Sequence, residues 1–277
     1  AGVDASRDTQ GFLMNRQKDT NSLNLYDTDT RDIELDSPYV KRGDNAIYDW
    51  STFSISAWVK PVRLHEHGAI IQISDSSTTH ASMWITSSGG LGAVFEKGSA
   101  IVLRSATAGS LVAANTWVHV TACYNWGVDN GSGNNSNLTD TTANFTVGDY
   151  NVGSTYARIK NIGIPGGAQS KNVYGNISAS AATSLTTSLA SNDWDANDNY
   201  MVVKYYVNGV FTATSTDNFT GFHDTAGNEK AIKIGRTDKS DSWKTFDGEI
   251  DDVLIYNRVL THSEADRIYK AGKRSHR

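Results

Sequence analysis

Carboxylates that recur at short spacing are the residues in this chain best suited to chemistry. Asp27, Asp29 and Asp32 crowd one turn-like segment, and Asp251 and Asp252 stand side by side near the carboxyl end. Calcium takes several hard oxygen ligands at once, from carboxylates and backbone carbonyls, so two groups qualify as sources of such ligands, Asp27 and Asp29 in the one and Asp251 and Asp252 in the other. The plainer role of the same side chains is to cap turns and accept backbone amides. His65 and His67 flank Glu66, with His80 further along the chain. Zinc needs three or four convergent ligands, and His65 and His67 share a face only in an extended segment, so these read as polar loop residues. Ser87-Ser88-Gly89-Gly90 lacks the lysine and the helix of a phosphate loop and reads as a hairpin turn. Cys123, the single cysteine, sits in a strand-like run and reads as buried packing, and no intrachain disulfide can form.

Sugar recognition needs a different set: exposed aromatic faces with amides and carboxylates beside them to bond hydroxyl groups. Trp126, Asn130, Tyr150, Trp194 and Asp195 supply these types within the stretch 125–200. A competing role exists for the same aromatics, since a long polar segment stays ordered only if side chains pin it to a core. The sequons at Asn137, Asn144, Asn176 and Asn218 are what an Asn-, Ser- and Thr-rich chain produces by chance, and they matter only in a host that glycosylates.

The composition bounds what else the protein can do. A net charge of −5 argues against sequence-independent nucleic-acid binding, which requires a basic face. The one basic cluster, Lys270, Lys273, Arg274 and Arg277, reads as a solvated end. No apolar stretch approaches the ~18 residues of a membrane span, and the amino terminus has neither the basic nor the apolar region of a signal peptide. Seven Trp and a 10% aromatic content, with only three Pro among 277 residues, describe a chain able to bury a core.

The elements that position these residues are mostly strands. Ser22 to Tyr26 and Asp32 to Leu35 alternate apolar and polar side chains, the period of a half-buried strand. In Phe53 to Lys60 the residues Phe53, Ile55, Ala57 and Val59 share one face, Trp58 takes the other, and Pro61 stops the ladder. Short strands follow at 69–73, 82–85, 91–95 and 101–103, divided by Gly and Ser turns. Trp117 to Tyr124 and Met201 to Val207 are strong strands, and Asn208-Gly209 predicts a type I′ turn into Val210 to Thr214. Ala231 to Gly235 and Gly248 to Tyr256 complete the set. Thr261 and Glu264 form a capping box for a terminal helix with an apolar stripe of Ala265, Ile268 and Tyr269, which Gly272 is expected to close. Strands at this spacing without intervening helices predict a two-sheet sandwich or barrel.

The order of these motifs resembles the laminin-G-like, concanavalin A-like domains. The resemblance rests on Phe53-Ser54-Ile55-Ser56-Ala57-Trp58-Val59-Lys60-Pro61, Thr116-Trp117-Val118-His119-Val120, Tyr206-Val207-Asn208-Gly209, Ile234-Gly235, and the run Asp247 to Leu260 followed by Ser263-Glu264. It implies a jelly roll of roughly a dozen strands with its first and last strands adjacent, and a structural calcium held between the turn at Asp27 and Asp29 and the closing strand at Asp251 and Asp252. The fold does not fix a ligand, because it serves lectins, enzyme accessory modules and virion proteins alike. Some glycosidases of this sandwich carry Glu-Ile-Asp-x-x-Glu on one strand; here Glu249-Ile250-Asp251 begins the pattern, but Leu254 stands where the second acid belongs and cannot donate a proton. Where the family needs only a few residues, this chain inserts the stretch 125–200. The leading arm and the Asn- and Thr-rich style also resemble laminin-G-like domains on bacteriophage particles.

These readings predict an all-β protein: an antiparallel two-sheet jelly-roll sandwich spanning 21–277, preceded by an extended arm at 1–20. Residues 125–200 are expected as a long inserted loop region with small hairpins, and a short helix ends the chain. The expected function is a non-catalytic interaction or structural protein on an extracellular or virion surface, such as capsid decoration, with glycan-binding capacity. Its expected partners are other chains of an assembly, met through the arm and the insert, and cell-surface polysaccharide. The alternatives are a carbohydrate-binding module of a secreted bacterial protein and, disfavoured for want of paired acids, a glycoside hydrolase.

Overall fold

The computed structural model describes residues 7–8, 11–14, 23–25, 33–36, 52–64, 68–76, 79–97, 101–131, 137–164, 170–189, 194–217, 231–235 and 246–276. Asp27, Asp29, Asp32 and the His65–His67 pair lie outside these, as does the side chain of His80. From the amino end come β1 (Arg7–Asp8), β2 (Gly11–Met14), β3 (Leu23–Leu25) and β4 (Ile33–Asp36). The body continues with β5 (Thr52–Pro61), β6 (Gly68–Ser76), β7 (Thr79–Ile85), β8 (Leu91–Lys97), β9 (Ile101–Thr107) and β10 (Val118–Val128). Next are β11 (Asn137–Thr139), β12 (Asn151–Val152), β13 (Thr155–Tyr156), β14 (Arg158–Gly163), β15 (Ser170–Ala181) and β16 (Ser184–Thr187). The chain ends with β17 (Asn199–Val207), β18 (Val210–Thr212), β19 (Thr214–Asp217), β20 (Ala231–Ile234), β21 (Gly248–Tyr256) and the helix α1 (His262–Gly272).

Two antiparallel sheets face each other, the sandwich expected of the sequence. The larger runs β1-β2-β21-β5-β10-β17-β14-β15-β16-β11, with β3 beside β21 and β18 beside β17; the smaller runs β19-β9-β8-β7-β6-β20-β4. The closing strand β21 thus meets the early strands β2 and β3 as well as β5. Alternation sets what faces inward. Phe53, Ile55, Ala57 and Val59 of β5, Val118, Val120, Ala122 and Tyr124 of β10, and Met201, Val203, Tyr205 and Val207 of β17 join Ile73, Met83, Ala93 and Phe95 in one core. Hydrogen bonds from the Tyr124 hydroxyl to the Ser82 carbonyl (3.1 Å) and from the Tyr205 hydroxyl to the Ser105 carbonyl (2.9 Å) tie the two sheets across it.

β21 needs one irregularity to keep this pattern. Its register against β5 shifts between Asp251 and Leu254, and Asp252 has φ +45°, so one extra residue is accommodated as a bulge. Ile250, Val253 and Ile255 can then all point inward.

The stretch 125–200 differs from the expected loop. β10 runs on to Val128, β14 pairs with β17, and β15 and β16 carry the large sheet onward to β11. Within this stretch Tyr156 pairs with Asn151, whereas Ile159 lies between Val202 and Gly175. The physical reason is a second apolar core on the outer face of the same sheet. Cys123, Tyr200, Val202 and Tyr206 from that face meet Leu138, Phe145, Tyr150, Ile159, Ile177, Leu185 and Trp194 of the insert, with Leu260 and Ala265 from the end of the chain. Cys123 is buried, as its sequence context predicted.

Candidate functional site

A groove of about 610 Å³ opens at the junction of β10, the insert and the segment that follows β21, within the volume range of small-molecule sites. β10 supplies Asn125 and Trp126 where it outruns the intersheet core, and Trp126 packs against that core while remaining partly exposed. Asn125 is opposite Thr52 and hydrogen-bonds Tyr150, which joins this part of the groove to the insert's core. Gly127 is required by close approach: a Cβ there would stand 2.4 Å from the Tyr200 hydroxyl.

The second wall is the segment 140–146. Phe145 is buried in the insert's core and Ala143 packs against it, so the alternating Thr142, Asn144 and Thr146 are left exposed at the groove. Asp140 fixes the start of this wall. Its Oδ1 accepts the Thr142 and Ala143 amides and the Thr142 hydroxyl, at 2.9, 3.0 and 2.6 Å, and its Oδ2 accepts the Tyr200 hydroxyl at 2.9 Å. Lys204 anchors the chain just beyond this segment from inside. Its ammonium donates to the Asp149 carboxylate and to the Leu260 carbonyl (3.0 Å), and the His262 amide donates to Asp149 (2.8 Å).

The third wall comes from Arg258, Thr261 and Glu264. Glu264 serves the expected capping box, since its Oε2 accepts the Thr261 amide at 2.9 Å while the Thr261 hydroxyl accepts the Glu264 amide at 3.2 Å. The same Oε2 accepts from Arg258 Nη1 at 2.7 Å. Partial burial pulls the Glu264 carboxyl upward, but the hydrogen bonds from Arg258 and Thr261, with the Arg258 charge, outweigh it and hold the group at about 2.

Of the five residues expected to contact a glycan, the groove includes Trp126. Tyr150 and Trp194 are corrected to core residues: they are 2% and 0% exposed, and the Trp194 indole donates to the Thr187 hydroxyl at 3.1 Å. An aromatic ring stacks on a sugar only through a free face, and the insert's own core covers both. Asn130 is exposed but spends its amide on Thr141, donating through Nδ2 (2.9 Å) and accepting the Thr141 amide (3.0 Å). Asp195 is half-buried and paired with Lys171 at 2.8 Å. The exposed wall of Thr142, Asn144 and Thr146 was readable as a period-2 alternation with Ala143 and Phe145; the part played by Arg258 was not, because it depends on how the chain returns after β21.

In the described half of the calcium set, both carboxylate oxygens of Asp251 are hydrogen-bonded. Asp251 Oδ1 accepts the Asp252 amide at 2.8 Å, and Oδ2 meets His276 Nε2 at 3.0 Å. Among the described residues no group of three His, Cys, Asp or Glu is placed to hold a metal.

A family model described as the concanavalin A-like lectin/glucanases superfamily matches residues 35–158 and 181–266; the gap between them falls within β14 and β15 of the insert. No curated protein matches the chain. Among solved structures, the CBM40 of Ruminococcus gnavus IT-sialidase is 10% identical with a TM-score of 0.47, covering 90% of this chain and 96% of that one. Domain 4 of an extracellular GH43 arabinanase from Geobacillus stearothermophilus, solved with arabinotriose, is 15% identical with a TM-score of 0.40, over 97% and 82% of the two chains. A heptameric SAP-like pentraxin from Limulus polyphemus is 12% identical with a TM-score of 0.39, over 79% and 70%.

Proposed function

We propose, for a chain that belongs to the concanavalin A-like lectin/glucanases superfamily, a non-catalytic interaction role in which the groove at Trp126 binds glycans. The observation that carries this reading is the combination of a partly exposed indole with an exposed polar wall of Thr142, Asn144 and Thr146 across the same groove. An indole covers the apolar face of a sugar ring, and hydroxyl and amide side chains exchange hydrogen bonds with its hydroxyl groups. We further propose display on an extracellular or virion surface, where such a groove would hold a particle or a secreted protein to polysaccharide. A carbohydrate-binding module of a secreted bacterial protein would use the same groove in the same way.

The acids of the groove favour binding over hydrolysis. Glycoside hydrolysis needs a carboxyl that carries a proton at the working pH. Glu264, held at about 2, carries none near neutrality, and both Asp140 oxygens are committed to the 140–146 wall and Tyr200. Leu254 occupies the position of the second acid in the hydrolytic motif.

A glycan array with the wild-type chain and Trp126→Ala tests the proposal. The expected result is binding to a defined glycan class that falls at least about tenfold in the variant, since an aromatic stacking contact contributes on the order of 1 kcal/mol or more. The variant's Tm should fall by no more than a few degrees, because Trp126 is only partly buried. No glycan bound by the wild-type chain would overturn the proposal.

A further inference from the structure

We infer that the groove selects uncharged glycan chains and disfavours those bearing carboxylate or sulfate groups. This deepens the glycan-binding reading and rests on it. The charged side chains that line the groove among the described residues are Asp140, Arg258 and Glu264, two acids and one base, for a net charge of −1. The one base is ion-paired with one of those acids. Arg258 Nη1 donates to Glu264 Oε2 at 2.7 Å, its Nε is shut away from solvent, and its guanidinium lies 5.9 Å from the centre of the Tyr256 ring. An acidic sugar would therefore approach a net negative wall in which, among the described residues, the one cation is already paired with Glu264, and like charges brought together in a partly desolvated site cost binding energy. A neutral sugar escapes that cost and still finds the Trp126 face and the Thr142, Asn144 and Thr146 wall.

The Glu264 charge also persists across pH. Glu264 stays ionised down to about 2, so mild acid does not convert the groove into an anion site. Glu264→Gln separates charge from shape. Glutamine at this helix position keeps the reciprocal capping bonds with Thr261, while its loss of charge leaves Arg258 without an ionic partner.

The experiment measures the affinities of wild-type chain and Glu264→Gln for matched neutral and acidic oligosaccharides, the acidic ones carrying a uronic or sialic acid, at low and high salt. The wild-type chain is expected to prefer the neutral member, and the preference to shrink as salt screens the groove. Glu264→Gln is expected to shift the ratio toward the acidic member by about three- to tenfold, the size of removing one nearby charge near a protein surface. Equal or tighter wild-type binding of the acidic member overturns this inference and leaves the glycan reading standing. A ratio unmoved by Glu264→Gln overturns the assignment to groove charge. Failure to bind either member overturns the glycan reading and the inference with it.

Discussion

Trp58 and His119 lie on the outer side of β5 and β10, where the end of α1 covers them. His119 is 1% exposed, its Nε2 is 2.8 Å from the Ser56 hydroxyl, and the Trp58 and Tyr269 rings lie 5.3 and 6.1 Å away. Burial, reinforced by the nearby charge of His276, depresses His119 from 6.5 to about 3. Between those values the unfolded chain binds a proton that the folded one refuses, so stability falls as pH falls from 6.5 toward 3. At pH 4.5 the difference amounts to about 3 kcal/mol relative to pH 7, at 1.36 kcal/mol per pH unit. His119→Gln, which keeps a partner for Ser56, should therefore lose about 3 kcal/mol less than the wild-type chain over that interval, read by urea unfolding at the two pH values. An identical acid loss in both proteins would contradict this role. His276 behaves oppositely: burial disfavours its charge, but bonds to Asp251 and the Gly272 carbonyl and the charges of Asp251 and Asp252 raise it. Residue types alone do not separate such cases. Trp126 and Trp194 read alike in the sequence, yet one reaches a groove and the other fills a core, because exposure depends on partners far along the chain.

At the scale of elements, local signals were reliable wherever the chemistry was local. Asn208 and Gly209 both adopt positive φ, +51° and +74°, in the turn between β17 and β18, as their pairing predicts. Thr261 and Glu264 form the capping box. Gly272 departs from expectation: Lys273 follows it with φ −54°, in the right-handed region, so the helix does not end on a left-handed glycine. Its role is close approach, since a Cβ at Gly272 would stand 2.2 Å from Trp58 Nε1. Gly272→Ala should thus destabilise the protein by about 1–3 kcal/mol despite the better helix propensity of alanine. A Tm at or above the wild-type value would contradict that packing. The insert departs from its local signals for a similar reason. Its Asn-, Gly- and Ser-rich stretches look like loop, and the strand pairing of β14 with β17 and of β15 with β14 is set by the outer face of a sheet whose other strands are distant in sequence.

For the whole molecule, one large sheet carries a core on each face. The inner one closes the sandwich, and its alternating pattern made the architecture legible from the sequence. The outer one, built by the insert, Leu260 and the first turns of α1, was legible only as scattered aromatics. Lys204 links the parts, since it rises from β17 to bond Asp149 of the insert and the Leu260 carbonyl before α1. Removing one partner of such a buried pair would leave an uncompensated charge, so the pair ties the insert to the segment that leads into α1. The groove is therefore a product of the whole arrangement: β10 gives the indole, the insert gives the polar wall, and the chain after β21 gives the charged one. The most direct measurement is a crystal structure with the best neutral oligosaccharide from the array. A sugar ring stacked on Trp126, with hydroxyl groups bonded to the 142–146 wall, is the expected result. The same sugar bound elsewhere on the surface, with this groove empty, would contradict the account.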